Sequence, residues 1–65
     1  MDSEVRIEAL KRASAIAGGP APLRRYLKVS AAALALWMSG AVATPTDVFL
    51  KTVDLIYDRE INDRN

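Results

Sequence analysis

The side chains with the clearest capacity for chemistry in this sequence are basic, and they cluster around one short segment. Arg24, Arg25 and Lys28 lie within five positions of one another, and residues 9–46 contain five Lys or Arg but no Asp or Glu. Cationic groups arranged in this way can contact phosphates or an anionic surface, although the same charges also suit an ordinary solvated face. The charges alone leave both interpretations open.

The net charge of +1 combines two halves of opposite sign. Residues 1–40 carry six basic and three acidic side chains, a net charge of +3, whereas residues 41–65 carry three basic and five acidic ones, a net charge of −2. The two halves therefore differ in the charge that they present to their surroundings.

Catalysis and metal binding are not expected from this composition. The chain has no cysteine and no histidine, so it lacks the usual base, nucleophile and zinc ligands. It also has no glycine-rich phosphate loop, and Asp54, Asp58 and Asp63 are most simply a solvated helix face. We therefore predict no enzyme activity, no cofactor and no metal site.

The elements that must position the basic residues are helices. Apolar residues recur at helical spacing, and no period-two alternation indicates a strand. With 65 residues the chain is expected to form one compact all-α domain of four helices, with residues 1–3 and 62–65 frayed. The predicted helices cover about residues 4–17, 20–27, 31–38 and 45–60.

Local signals mark where the first three of these helices begin and end. Ser3 and Ser30 are good N-cap residues, because a serine hydroxyl can accept a hydrogen bond from a free amide in the first turn. Gly18-Gly19 and Gly40 are good stops, because glycine adopts the left-handed conformation that follows a helix.

The fourth helix has a proline-led start. Thr44 is predicted to cap it, with Pro45 at the first position and Asp47 reaching back as a capping-box acid. Its core-facing side is predicted from the apolar residues at helical spacing, which are Phe49, Leu50, Val53, Ile56 and Tyr57.

Two other objects share the pattern of basic residues followed by an apolar run. As an export signal, the segment would have Arg24-Arg25 before an apolar region at residues 29–37 and a cleavage site after Ala43. Cleavage there would leave only 22 residues, and a folded helix would precede the signal. Polar residues and Pro45 interrupt the run well short of the roughly 20 residues that a bilayer requires. We therefore expect neither export nor membrane association.

The stretch IAGGPAPLRRYLKVSAAALALWMSG, residues 16–40, resembles the core of the Cro/C1-type helix-turn-helix family, which is lambda repressor-like, and in particular its short YdaS-like phage regulators. The features shared are a Gly-Gly pair, a short helix, Leu-x-Val-Ser, a recognition helix, a tryptophan and a glycine. The match covers roughly residues 7–40. Two positions depart from the pattern, with Arg24 in place of a small residue and Lys28 in place of the glycine of the turn.

The resemblance implies which residues are buried and which face DNA. Five residues are expected between the helices: Leu23, Leu27, Val29, Leu34 and Trp37. Arg24, Arg25 and Lys28 would contact phosphates, while Ser30, Ala31, Ala32 and Ala35 would lie nearest the bases. Arg, Lys, Asn and Gln provide most base discrimination, and this helix contains none of them, so its direct recognition of bases is expected to be weak.

The implied function is that of a small cytoplasmic transcriptional regulator, bacterial and prophage-like, which binds double-stranded DNA mainly through phosphates. The alternative is a degenerate helix-turn-helix that forms a homodimer or binds a partner protein. It would use an apolar face of the third helix made of Ala31, Ala32, Ala35 and Leu36, with Met38 beside it. A third interpretation is that these alanines are simply good helix formers on a solvated face.

Overall fold

The computed structural model describes the backbone of residues 2–64 and the side chains of residues 4–59. Four helices form one compact domain, and no strand occurs in the part of the chain described. The bounds of these helices are α1 Asp2–Ala17, α2 Pro20–Leu27, α3 Ala31–Ser39 and α4 Thr46–Arg64. The predicted all-α, four-helix architecture is confirmed.

Two of the predicted helix stops are confirmed by their backbone geometry. Gly18 and Gly19 have φ of 100° and 129°, and both of their amides donate to the carbonyl of Ser14, at 3.1 and 2.7 Å. At the end of α3, Gly40 has φ of 84°, and its amide donates to the carbonyl of Trp37 at 3.2 Å. These bonds satisfy carbonyls that the ends of the helices would otherwise leave free.

Two of the predicted helix starts are wrong. Ser3 lies inside α1, which already begins at Asp2. Thr44 does not cap α4, because its hydroxyl oxygen is buried without a hydrogen-bond partner among the described residues. The carbonyl of Pro45 instead accepts the first bond of the helix, from the amide of Phe49 at 2.9 Å, so α4 begins one residue later than predicted.

The fourth helix also ends later than predicted, since its backbone stays helical to Arg64 rather than to about residue 60. The side chains of residues 60–65 and 1–3 lie outside the described part of the chain. The expected fraying of the terminal residues therefore stays a prediction.

The core lies between the four helices and is almost entirely aliphatic. Its buried apolar residues are Leu10, Ala13, Leu23, Leu27, Leu34, Val48 and Leu55. Of the five residues implied by the family resemblance, three are confirmed as buried, while Val29 and Trp37 are half-buried and pack against the core.

The predicted core-facing side of α4 is wrong for three of its five residues, whereas Ile56 packs against the core as predicted. Val48, Thr52 and Leu55 point inward, whereas Leu50, Val53 and Tyr57 are exposed; Phe49 and Ile56 lie between the two faces. A polar residue such as Thr52 is more common at the surface than in a core. In the structure its hydroxyl donates to the carbonyl of Val48 at 2.8 Å. Because that bond satisfies the hydroxyl locally, Thr52 can be fully buried without a partner on another helix.

Arg6 ties α1 to the segment that leads into α4. Its guanidinium donates to the carbonyl of Thr44 at 2.6 Å, and its Cζ lies 5.2 Å from the centre of the Phe49 ring. The side chain is half-buried, so both contacts are partly shielded from water. One cation thereby holds three segments of the chain together.

Candidate nucleic-acid interface

The candidate interface is built on α2, α3 and the turn between them. Leu23 and Leu27 anchor α2 in the core, and Leu34 anchors α3. A helix of eight residues and one of nine are thereby held against each other by residues that face inward. The remaining faces of both helices are left to solvent.

Lys28 adopts the left-handed conformation at the turn, with φ of 60° and ψ of 45°. Its amide donates to the carbonyl of Arg25 at 3.2 Å, and the amide of Val29 donates to that of Arg24 at 3.0 Å. This pair of bonds closes α2 in the way that a glycine usually does. A lysine here keeps a positive charge at the turn and accepts backbone strain.

We expect Lys28→Gly to raise the free energy of unfolding by about 1 kcal/mol, because glycine has no Cβ to clash in the left-handed region. Urea denaturation followed by circular dichroism measures the change. The control is Lys28→Ala, because it removes the charge and keeps the Cβ. Lys51→Gly is unsuitable, since a glycine there would disrupt a helix. A Lys28→Gly protein no more stable than Lys28→Ala would contradict the expectation.

The third helix begins as predicted. The hydroxyl oxygen of Ser30 accepts a hydrogen bond from the amide of Ala33 at 3.0 Å, which makes Ser30 the N-cap. The hydroxyl is exposed and retains its proton as a donor, so its capacity for further bonding is limited but not lost.

The three cations differ in their surroundings. Arg25 and Lys28 are exposed, whereas Arg24 is half-buried. None of the three forms an ion pair with any side chain that the structure describes between residues 4 and 59. No described carboxylate therefore neutralises their charges.

The structure brings only some of the predicted site residues together. Arg24, Ala31 and Ala35 line one groove between α2 and α3, with a volume of about 460 Å³. Arg25, Lys28, Ser30 and Ala32 are exposed but lie outside that groove. The predicted contacts thus divide into a basic, polar rim and an apolar groove.

The α2–α3 groove was not predicted from the sequence. Its lining is almost wholly apolar and consists of Pro20, Ala21, Arg24, Ala31, Leu34, Ala35 and Met38. Leu34 is buried and Met38 half-buried, so the groove reaches the edge of the core. The small side chains of Ala31 and Ala35 leave this space open, and their spacing of four was its only signal in the sequence.

Other kinds of site find no support in the described residues. Between residues 4 and 59, no three His, Cys, Asp or Glu side chains lie close enough to hold a metal ion. Over the same part of the chain, no helix combines the length and the apolar character that crossing a bilayer requires.

No protein-family model matches this chain, and no curated protein or solved structure matches it either. The resemblance of residues 16–40 to Cro/C1-type proteins therefore stays a prediction made from the sequence. What the chain does must be inferred from the exposed α3 face, the groove and the charges around them.

Proposed function

We propose that the protein is a small DNA-binding regulator that contacts phosphates through the rim of the α2–α3 unit. The observation that carries the proposal is a set of basic side chains that pair with no carboxylate between residues 4 and 59, Arg24, Arg25 and Lys28, beside the exposed start of α3. A short helix presented in this way has the size and position of an element that enters the major groove. The proposal involves no catalytic step.

Phosphate contacts would supply most of the affinity. Each cation that neutralises a phosphate releases counterions, so binding weakens as the salt concentration rises. Such contacts position the protein on the duplex without reading its sequence. Arg25 and Lys28 are exposed and suit this role directly, while Arg24 would reach a phosphate from the edge of the groove.

Base readout would be weak. Ala31, Ala32 and Ala35 are exposed and can touch only thymine methyl groups, and the hydroxyl of Ser30 already accepts the capping bond. Without a bidentate donor on this face, the expected Kd lies in the range of non-specific binding, about 10⁻⁴–10⁻⁶ M at physiological salt. A bacterial, prophage-like role in the cytoplasm is part of the same proposal and depends on the family resemblance alone.

Fluorescence anisotropy with a labelled duplex at two or more salt concentrations tests the proposal. We expect Arg25→Ala and Lys28→Ala each to weaken binding across all sequences and to reduce the salt slope by about 1. Lys51→Ala is the matched control, because it removes an equal charge from an exposed position on α4. Binding that is undetectable at low salt, or that falls equally in all three variants, would remove the DNA-binding proposal.

A second candidate function is protein docking through the α3 face. The observation that favours it is the apolar α2–α3 groove, which continues onto the exposed residues Ala31 and Ala35. Leu36, also on α3, leaves 46% of its surface exposed. Uncovered apolar surface of this kind commonly marks a site of protein association.

A further inference from the structure

A second uncovered apolar surface lies on α4. Leu50, Val53 and Tyr57 are 57%, 40% and 66% exposed, and their spacing of three and four places them on one side of the helix. We call these three residues the α4 apolar face. Val48, Thr52 and Leu55 occupy the inward side, so the α4 apolar face is turned away from the core of its own chain.

The flank of this face is acidic. Asp47, Asp54 and Asp58 are exposed on α4 together with a single lysine, Lys51, which leaves a net charge of −2. By helical spacing these four positions form a row beside Leu50 and Tyr57. The α4 apolar face is therefore bordered by negative charge.

The α2–α3 groove has the opposite character. Arg24 lines it, Arg25 and Lys28 lie on the same two-helix unit, and none of them is paired with a carboxylate in the described part of the chain. Alanine and proline contribute small side chains to the groove, whereas the α4 apolar face presents large side chains. The two surfaces carry opposite charge, and small side chains line one where large side chains project from the other.

We propose that the α2–α3 groove of one copy receives the α4 apolar face of a second copy. Leu50, Val53 and Tyr57 would fill the groove, and the acidic row would lie against Arg24. Apolar area removed from water would drive the contact, and opposite charges would set its orientation. The inference rests on the second candidate function, docking through the α3 face, and does not require that the protein bind DNA.

The contact joins two different surfaces, so it is heterologous, or head-to-tail. An open assembly keeps a free groove at one end and a free apolar face at the other, so association continues unless a ring closes. Because Ala31 and Ala35 line the groove, a copy docked there covers part of the face that would lie nearest the bases of DNA. Self-association and insertion of α3 into the major groove would compete.

The test uses two variants of the whole chain that are each blocked at one end. Leu50→Ser with Tyr57→Ser removes large side chains from the α4 apolar face, and Ala31→Gln with Ala35→Gln fills the groove. All four positions are exposed and neither variant changes the net charge, so both should fold, which circular dichroism checks. A contact between one groove and three side chains is expected to be weak, so sedimentation velocity is run up to about 1 mM protein.

We expect the wild-type protein to associate beyond a dimer with rising concentration, and each blocked variant alone to lose affinity by about tenfold or more. An equimolar mixture of the two should form a complex that stops at two copies, because it contains one intact groove and one intact apolar face. A monomeric wild-type protein, or a mixture no more associated than its components, would overturn the proposal. So would dimerisation of the groove-filled variant alone, which indicates an α4–α4 contact, or of the face-blocked variant alone, which indicates an α3–α3 contact.

Charge reversal supplies a second, independent measurement. Arg24→Glu should weaken association by about fivefold, and mixing it with a copy that carries Asp54→Arg should recover that loss. Arg59→Glu, at an exposed position of α4 outside the acidic row, is the matched control. Equal weakening by Arg24→Glu and Arg59→Glu, without recovery in the mixture, would show that net charge and not the proposed contact governs association.

Discussion

Replacing Leu55 with alanine is expected to lower the free energy of unfolding by about 2–4 kcal/mol, whereas the same change at Leu50 should alter it by less than about 0.5 kcal/mol. Both leucines lie on α4, and they differ in burial. Leu55 is 8% exposed and packs in the core, while Leu50 is 57% exposed. Removing the Leu55 side chain leaves a cavity between helices, which removing that of Leu50 cannot do.

The size of this effect matters because a domain of this length has little stability to lose. At about 0.05–0.15 kcal/mol per residue, the whole free energy of unfolding is of the order of 3–10 kcal/mol. Leu55→Ala could therefore unfold much of the population at 37 °C. Urea denaturation of dilute samples measures both variants.

The pair of leucines also tests which side of α4 faces the core. The spacing of apolar residues places Leu50 inside, and the structure places Leu55 there. A larger loss of stability in Leu50→Ala than in Leu55→Ala would restore the side predicted from the sequence, and would remove the α4 apolar face as a surface for docking.

Arg6→Ala is the second substitution with a large expected effect, a loss of about 2–3 kcal/mol in the free energy of unfolding. The change removes a charge-assisted hydrogen bond of 2.6 Å to the carbonyl of Thr44 and a cation–π contact with Phe49. Both contacts are half-buried, so water replaces them only in part. The link between α1 and the start of α4 would be lost.

Two control variants separate geometry from charge. Arg59→Ala removes the same charge from an exposed position on α4, and we expect a change within about 0.5 kcal/mol. Arg6→Lys keeps the charge but lacks the planar guanidinium, so its stability should fall between those of the wild type and Arg6→Ala. Thermal or urea unfolding compares the four proteins, and an Arg6→Ala protein as stable as Arg59→Ala would contradict the assigned role.

The role of Arg6 cannot be predicted from the distribution of charges along the sequence. In the sequence it is one of six basic residues in the basic half of the chain, with nothing to distinguish it from the others. The carbonyl that accepts its hydrogen bond lies 38 positions away along the chain, so no local sequence pattern predicts this bond. Arg6 thus holds the fold together, whereas Arg24, Arg25 and Lys28 pair with no carboxylate among the described residues.

The end of α1 and both ends of α3 could be predicted because local chemistry decides them. Glycine at positions 18, 19 and 40 supplies positive φ, and the hydroxyl of Ser30 accepts from an amide three residues later. Each of these contacts forms within a few residues, whatever the rest of the chain does. The four-helix architecture and the exposed α3 face follow from the same local signals together with the family resemblance.

Only the tertiary structure decided which side of α4 is buried, where Arg6 bonds and where the α2–α3 groove opens. The fourth helix carries two sets of residues at helical spacing, one with Val48, Thr52 and Leu55 and one with Leu50, Val53 and Tyr57, and the second set is the more apolar. The sequence therefore favours the wrong one. Which set turns inward depends on the shape that the other three helices leave, and that shape is set by contacts between residues far apart in the chain.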